Sequence, residues 1–261
     1  MHRRPGNAVR AATLLLLLPI AVGGVAAQEK SDPVEITAQD GLEWRQNEKA
    51  LIAEGSVVLT RGAMKLQAET VSAYYRDSKG GDGQEVYRID ASGNVRIASE
   101  GARGYSDTAA YDLDQGVFVL SGGKPRLEAT KLIVTASQNL EYWEQKKLAV
   151  ARGKAVALSG DRKIVADVLS AYVEPSGGDE AALRRVEAIG GVVITTPDDT
   201  ARGEEAVYDA ASGLATLCGD VEVRRGQNVL RGKCAEVNLN TGVSRLVGGG
   251  ASVKGLVQPA N

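Results

Sequence analysis

Histidine is almost absent from this chain of 261 residues, because its one imidazole belongs to His2. Ser-His-Asp and Cys-His catalytic sites need an imidazole, and zinc needs four ligands where the sequence offers two cysteines. Paired acids such as Glu204 and Glu205 do not form a glycosidase site, because adjacent residues of a strand point to opposite faces. We therefore predict that the protein is not an enzyme and uses no metal or other cofactor.

Long basic runs are missing as well. The chain carries 31 Lys and Arg against 33 Asp and Glu, for a formal net charge of −2. Nucleic-acid binding depends on a clustered positive face that neutralises phosphates. We therefore predict no nucleic-acid partner.

The N-terminus has the pattern of an export signal. Arg3, Arg4 and Arg10 precede an apolar run at 11–24, and small residues follow at 25–27. This order predicts a signal peptide over residues 1–27, cleaved to leave Gln28 as the first residue. The alternative is an uncleaved membrane anchor over 11–27, which has the minimum length for a spanning helix. Pro19 and the glycines favour cleavage.

Most of the remaining chain is a duplication. Residues 42–75 recur without a gap at 140–173, at a constant offset of 98 residues. Glycines also recur at intervals of about 30 to 40 residues, a spacing typical of stacked supersecondary units. We predict one domain over residues 28–253, with halves at about 42–139 and 140–237, and a flexible tail at 254–261. The recurring glycines are Gly55, Gly93, Gly122, Gly153, Gly190, Gly219 and Gly249.

The pattern within each unit is that of β-strands. Ala53, Val57 and Leu59 alternate with polar residues, and a parity change near Glu69 indicates a bulge. Short β-branched runs follow most of the recurring glycines, so the glycines are interpreted as strand starts. A single helical turn is possible in 179–189, but strand character resumes at Val186. The 31 glycines oppose helix elsewhere, and the fold class is all-β.

Small side chains dominate the predicted inner faces. With no helix to cover them, these faces must pack on each other in a sandwich, solenoid or jelly roll. Alanine recurs there, and Phe118 is the one phenylalanine of the chain. Such faces either approach closely as a dry sandwich or leave room for a long apolar guest. A twelve-carbon acyl chain would contribute on the order of 10 kcal/mol by burial, and composition does not separate the alternatives.

Cys218 and Cys234 lie 16 residues apart, in what the pattern predicts to be neighbouring strands. The alternation places both side chains on the outer, polar face. In an oxidising compartment two such thiols favour a cross-strand disulfide. Two unpaired thiols are the other possibility.

The segment 36–77 resembles the LptA/OstA family of periplasmic lipopolysaccharide-transport proteins. The family pattern is A-x-G-x-V, a polar-glycine turn, and then L-x-A-x-x-V-x-x-Y. It recurs at 153–172 and more loosely at 219–239, so the resemblance spans about 36–250. In the first copy it is carried by Ala53, Gly55, Val57, Gly62, Leu66, Ala68, Val71 and Tyr74.

The resemblance implies a twisted V-shaped β-jelly roll (β-taco) whose inner surface shields the acyl chains of lipopolysaccharide. It further implies a periplasmic carrier that moves lipopolysaccharide from the inner to the outer membrane, with partners among the transport components of both membranes. Unpaired edge strands at both ends agree with a head-to-tail homo-oligomer. The alternatives are a structural β-solenoid envelope scaffold and a membrane-anchored component of the same pathway.

The residues expected to contact the lipid are inward-facing and apolar. They are Val57, Leu59, Leu66, Val71, Val95, Ile97, Leu127, Ile164, Leu169, Val192, Ile194, Val221, Val223, Leu230 and Val237. Basic residues near the predicted turns either meet lipid phosphates at the rim or are ordinary solubilising charge on the strands. They are Arg61, Lys65, Arg152, Arg202, Arg224, Arg225, Arg231 and Lys233.

Overall fold

The structure is a computed structural model that describes residues 35–78, 83–99, 101–174, 182–238, 240–241, 243–248 and 254–256. The predicted signal peptide at 1–27 lies outside these residues. Within the described ranges, all regular structure is strand. No helix among them is long and apolar enough to cross a membrane. The all-β prediction is confirmed.

The described residues form eighteen strands of very unequal length. They are β1 (Glu35–Thr37), β2 (Gly41–Arg45), β3 (Ala50–Arg61), β4 (Met64–Asp77), β5 (Gln84–Ser99), β6 (Ala102–Asp112), β7 (Val117–Ser121), β8 (Arg126–Ala129), β9 (Leu132–Thr135), β10 (Asn139–Trp143), β11 (Leu148–Ser159), β12 (Arg162–Glu174), β13 (Ala182–Thr195), β14 (Asp199–Asp209), β15 (Leu214–Arg225), β16 (Asn228–Asn238), β17 (Ser244–Val247) and β18 (Lys254–Leu256).

The strands form one antiparallel stack that follows chain order. Each long strand is one rung, and two consecutive short strands share a rung: β1 with β2, β7 with β8, β9 with β10, and β17 with β18. The predicted halves meet where β7 and β8 pair with β10 and β9. At about 4.8 Å between strands, the stack is about 60 Å long.

Glycine bends the long strands in their middles. Gly55 lies inside β3 with φ at 79°, Ser56 follows at 46°, and the register shifts between Glu54 and Val57. The interpretation of these glycines as strand starts is therefore wrong, because each bends a strand that continues on both sides. The same pair of left-handed residues recurs at Gly93–Asn94, Gly153–Lys154, Gly190–Gly191 and Gly219–Asp220. Gly122 lies in the loop between β7 and β8, and Gly249 lies outside the described residues.

The aligned bends fold the sheet into two facing walls. Wall A holds the strand segments on the side of Leu59 and Leu66, and wall B holds those on the side of Ala53 and Val71. Residues of both walls form one buried apolar cluster. The predicted bulge near Glu69 is confirmed by a register shift between Gln67 and Thr70. The folded sheet has the predicted V-shaped jelly-roll arrangement.

The predicted tail begins with ordered chain. Lys254–Leu256 form β18 and pair with Val229–Arg231 of β16. The prediction of a flexible tail from residue 254 is therefore wrong for these three residues, because backbone pairing with β16 orders them although they have little apolar surface. Residues 257–261 lie outside the described part of the chain.

Cys218 and Cys234 face each other directly across β15 and β16. Their sulfur atoms lie 2.09 Å apart in a disulfide, and the Cα atoms are separated by 4.2 Å. The neighbouring Leu217 and Ala235 are buried on the inner face, so the disulfide lies on the outer face. It ties together the two strands next to the C-terminal edge of the stack.

Replacing both cysteines by serine is expected to lower the free energy of unfolding by about 3 kcal/mol, the loop-entropy value for a loop of this length. Urea unfolding with and without reductant measures the effect. The parent should lose stability on reduction, and the double-serine variant should not respond. A parent protein whose urea midpoint is the same with and without reductant would contradict the prediction.

Candidate functional site

Wall A carries a continuous row of apolar side chains, here called row A. Its members lie directly opposite one another on successive rungs, so the row crosses the whole stack. Only small residues interrupt it, such as Gly104 opposite Ile97. In order, its members are Ile36, Leu59, Leu66, Ile97, Gly104, Leu127, Val134, Ala157, Ile164, Ile194, Ala201, Val223, Leu230 and Gly255.

Wall B carries a matching row, here called row B. It combines leucine and valine with alanine, and most of its members are buried. In order, they are Leu42, Ala53, Val71, Ala91, Ala109, Leu120, Leu140, Ala151, Leu169, Ala188, Ala206, Leu217, Ala235 and Leu246.

The two walls touch near the bend. Val57, Val95, Val192 and Val221 lie there and are at most 1% exposed. A Cβ built on Gly104 of wall A would lie 3.0 Å from Leu120 of wall B. At these described residues the bottom of the V is therefore closed, as in the first of the two alternatives that composition left open.

Space remains above this closed floor in the middle of the stack. A pocket there has a cavity volume of about 60 Å³ and opens to solvent. Its surface is almost entirely apolar, with Ser99 and Arg103 among its few polar residues. The apolar lining consists mainly of Ile97, Phe118, Leu120, Leu127, Val134, Leu140, Tyr142, Ala149, Ala151, Ala157, Ile164, Leu169, Ala171 and Val186.

Most of the predicted lipid-contacting residues lie on these inner surfaces. Ten are members of the buried cluster: Val57, Leu59, Leu66, Val71, Val95, Ile97, Leu127, Leu169, Val192 and Val221. Ile164, Ile194 and Val223 pack against it while remaining partly exposed. Leu230 and Val237 lie outside the cluster. The pocket brings together four of the fifteen, namely Ile97, Leu127, Ile164 and Leu169.

Sequence reasoning missed the residues where the two halves meet. Phe118, Leu120, Leu140 and Tyr142 lie on β7 and β10 and line the pocket from wall B. A signal was present for Leu140, which is the repeat counterpart of Leu42. The repeat pattern did not indicate Phe118, because the strands where the two halves meet are shorter than the other strands of the repeat.

Row A opens towards the C-terminal end of the stack. Leu59, Leu66 and Ile97 are 6 to 8% exposed, whereas Leu230 is 39% exposed. Ile164, Ile194 and Val223 between them are half-buried. Row A is therefore more exposed from β12 onward than at Leu59, Leu66 and Ile97.

Aromatic side chains lie at the mouth of the pocket. Tyr111, Phe118 and Tyr142 stand opposite one another on β6, β7 and β10. The Tyr111 hydroxyl donates a hydrogen bond to Oε1 of Glu144 at 3.0 Å. Burial, followed by the nearby Glu144 carboxylate, raises the pKa of Tyr111 to about 12, while Arg61 of wall A acts weakly in the opposite direction.

The outer face of wall B is polar and its charges are paired. Arg76 bonds both Glu85 and Asp114 at 2.6 to 2.7 Å, which raises the pKa of Arg76. Arg152 donates to Glu141 at 2.7 Å. Among the described residues, no group of three His, Cys, Asp or Glu could hold a metal ion.

Comparison with known proteins places these features in a family. A family model described as LptA/(LptD N-terminal domain) LPS transport protein matches residues 35–138 and, a second time, residues 134–243. The chain belongs to this family. The two matches overlap at residues 134–138, just before the point at 139/140 where the internal repeat divides, so the LptA/LptD N-terminal unit occurs twice in one chain. The suspected family is thereby confirmed.

Two individual proteins are similar to parts of this chain. A stretch of 98 residues, 38% of this chain, is 30% identical to the LPS-assembly protein LptD of Pseudomonas fluorescens, and the match spans 9% of that protein. The crystal structure of LptH, the LptA-homologous periplasmic component of the lipopolysaccharide transport device of Pseudomonas aeruginosa, is 17% identical. That match covers 49% of this chain and 95% of LptH, with a TM-score of 0.41.

Proposed function

We propose that this protein is a periplasmic carrier that binds lipopolysaccharide by its acyl chains and moves it from the inner towards the outer membrane. The observation that carries the proposal is the apolar pocket between two walls whose outer faces are polar. An acyl chain in this pocket is stabilised by burial of its apolar surface, which has no directional requirement and contributes about 0.8 kcal/mol per methylene. The predicted signal peptide supports export to the periplasm.

Movement along the groove is favoured by the regularity of rows A and B. Each rung offers nearly the same apolar surface as the next one, about 4.8 Å further along. An acyl chain that shifts by one rung exchanges one set of apolar contacts for an equivalent set. Because few polar side chains line the pocket, no specific hydrogen bond anchors the ligand at one rung.

The ends of the stack support a bridge of several units. At the N-terminal edge, Leu42 and Trp44 are 54% and 59% exposed, because no described strand covers them. At the other edge, β17 and β18 each pair with β16 alone among the described strands. Within the chain, the corresponding edge of the first half is covered by the second half, because β10 pairs with β7. We propose that a second copy, or a membrane-bound transport component of the same fold, covers the free edges head to tail.

Photo-crosslinking in cells tests the carrier proposal. Ile194 and Val193 are neighbours on β13 and both are half-buried, but Ile194 belongs to row A and Val193 points outward. A benzophenone side chain at position 194 should give a lipopolysaccharide adduct, and the same probe at 193 should not. Equal adducts at both positions, or protein adducts alone at 194, would contradict the carrier and favour a dry envelope scaffold.

A further inference from the structure

One lip of the groove carries a strip of basic side chains, here called the basic lip. These side chains lie in or beside the wall A turns that join β3 to β4, β5 to β6, β8 to β9 and β11 to β12. All are exposed to solvent. The members of the basic lip are Arg61, Lys65, Arg103, Lys131, Arg162 and Lys163.

The basic lip differs from the paired arginines of wall B in its lack of counter-charges. In the described part of the chain, none of its six members forms an ion pair. On wall B, by contrast, Arg45, Arg76, Arg88, Arg152 and Arg185 each have a carboxylate partner. Pairing leaves those arginines with little net attraction for an anion, whereas the basic lip keeps its full charge.

Few acidic side chains offset this strip. Asp161 lies in the last of the four turns, and Glu128 is already bonded to Arg126 at 2.7 Å. Glu100, in the second turn, lies outside the described residues. Beyond Lys163 the pattern ends, because Asp199 at the next lip turn is paired with Arg225 at 2.6 Å. Along this lip, the positive charge without an ion-pair partner among the described residues thus runs from β3 to β12.

The position of the basic lip matches that of the pocket. Arg103 itself lines the pocket, and Lys131, Arg162 and Lys163 lie at or beside the ends of strands that contribute lining residues. The opposite lip is aromatic and carries both signs of charge, with Glu144 hydrogen-bonded to Tyr111 and with Lys146 and Lys147 in the same turn as Glu144. An amphiphile with its chains in the pocket therefore has the basic lip on one side of its headgroup.

We propose that the basic lip binds the phosphate groups of the bound lipid, so that wall A recognises a phosphorylated headgroup and fixes its orientation in the groove. The proposal rests on the carrier function. Guanidinium and ammonium groups are the usual partners of phosphate oxygens, in charge-assisted hydrogen bonds. A sugar headgroup without phosphate would gain nothing from this lip, so the lip adds selectivity for phosphorylated amphiphiles.

Two triple variants that remove the same number of positive charges distinguish an effect of the basic lip from an effect of the protein's net charge. R103Q/K131Q/R162Q removes three charges at the basic lip. The matched control, K124Q/K154Q/K233Q, removes three exposed lysines at the outer side of the bend. The probes are dodecyl phosphate, dodecyl maltoside and inorganic pyrophosphate, each measured by calorimetry at low and high ionic strength. Only the first combines the apolar chain with a phosphate.

The parent is expected to bind dodecyl phosphate about tenfold more tightly than dodecyl maltoside at low salt, with the difference shrinking at high salt. R103Q/K131Q/R162Q should lose this preference and retain its affinity for dodecyl maltoside, and the control should behave as the parent. Equal affinity of the parent for both amphiphiles, or the same loss in both variants, would overturn the proposal.

The two proposals fail in different ways. If neither amphiphile binds to the parent, the carrier function fails, and the basic lip fails with it. If dodecyl maltoside binds but phosphate adds nothing, only the basic lip fails. Binding of pyrophosphate as tight as that of dodecyl phosphate would show a site for free phosphate and would overturn recognition of a lipid headgroup.

Discussion

Replacing Gly55 by alanine is expected to lower the free energy of unfolding by about 3 kcal/mol, because a side chain is strained at positive φ and crowds its neighbour. Gly55 has φ at 79°, and a Cβ there would lie 2.8 Å from the backbone nitrogen of Asp40 while overlapping the Asp40 side chain. Moving the Asp40 backbone to relieve this contact would cost a large amount of folding free energy. Urea unfolding, followed by circular dichroism, measures the loss.

Gly160 provides the matched control. Its φ is also positive, at 58°, but nothing lies within 4 Å of a Cβ built there, because it occupies the exposed turn after β11. Gly160→Ala should therefore cost about 1 kcal/mol, the backbone strain alone. Equal losses at the two positions would show that the bend in β3 is not a tightly packed feature of the fold.

Replacing Ala149 by tryptophan is expected to weaken lipopolysaccharide binding about a hundredfold, because the indole takes the place of several methylene groups of the acyl chain. Ala149 lines the pocket next to Tyr142 and is half-buried, so a larger ring can enter the open space. Binding of lipopolysaccharide to the purified protein, followed by tryptophan fluorescence or by calorimetry, measures the effect.

Ala110→Trp is the control for this blocking variant. Ala110 is also half-buried but lies on the outer face of wall B, beside Thr108 and Ser72 in a polar depression. Its replacement should leave lipopolysaccharide affinity within a factor of about two, as expected of a surface change outside the site. Equal weakening by both tryptophans would place the lipid elsewhere, and unchanged affinity of Ala149→Trp would exclude the pocket as the acyl site.

Much of the fold follows from local sequence patterns. Alternation with a period of two predicted the strands, because one face of each strand is buried and the other is solvated. The repeat predicted equivalent rungs, and the parity change at Glu69 predicted a bulge. These features depend on nearest neighbours along the chain, which a sequence pattern displays directly.

The structural role of the recurring glycines was harder to predict from the sequence. A glycine followed by a β-branched run is compatible with a strand start or with a bend inside a longer strand. The choice depends on whether residues before the glycine, such as Ala53, pair with the same neighbour as residues after it, such as Val57. Ala53 and Val57 both pair with β4. Such cross-strand pairing is tertiary information that periodicity does not contain.

The sequence predicted which face of each strand forms the candidate site, but not where along the stack the pocket lies. Inward-facing residues were identified on most rungs, yet the pocket depends on how far the walls lie apart. Wall separation is set by pairs such as Gly104 and Leu120, where a leucine of wall B lies over a glycine of wall A. These contacts join residues on different walls, so the closed floor and the central pocket were outside the reach of sequence patterns.

The central claim is that the two walls hold an acyl chain between them. Gln145 and Asp161 lie in exposed turns just before and just after β11, one on each lip of the groove. Spin labels on cysteines at these positions report the width of the mouth by pulsed electron resonance. On addition of lipopolysaccharide the distance should increase by about 4 Å, the thickness of one inserted chain. An unchanged distance while lipopolysaccharide is demonstrably bound would contradict the account.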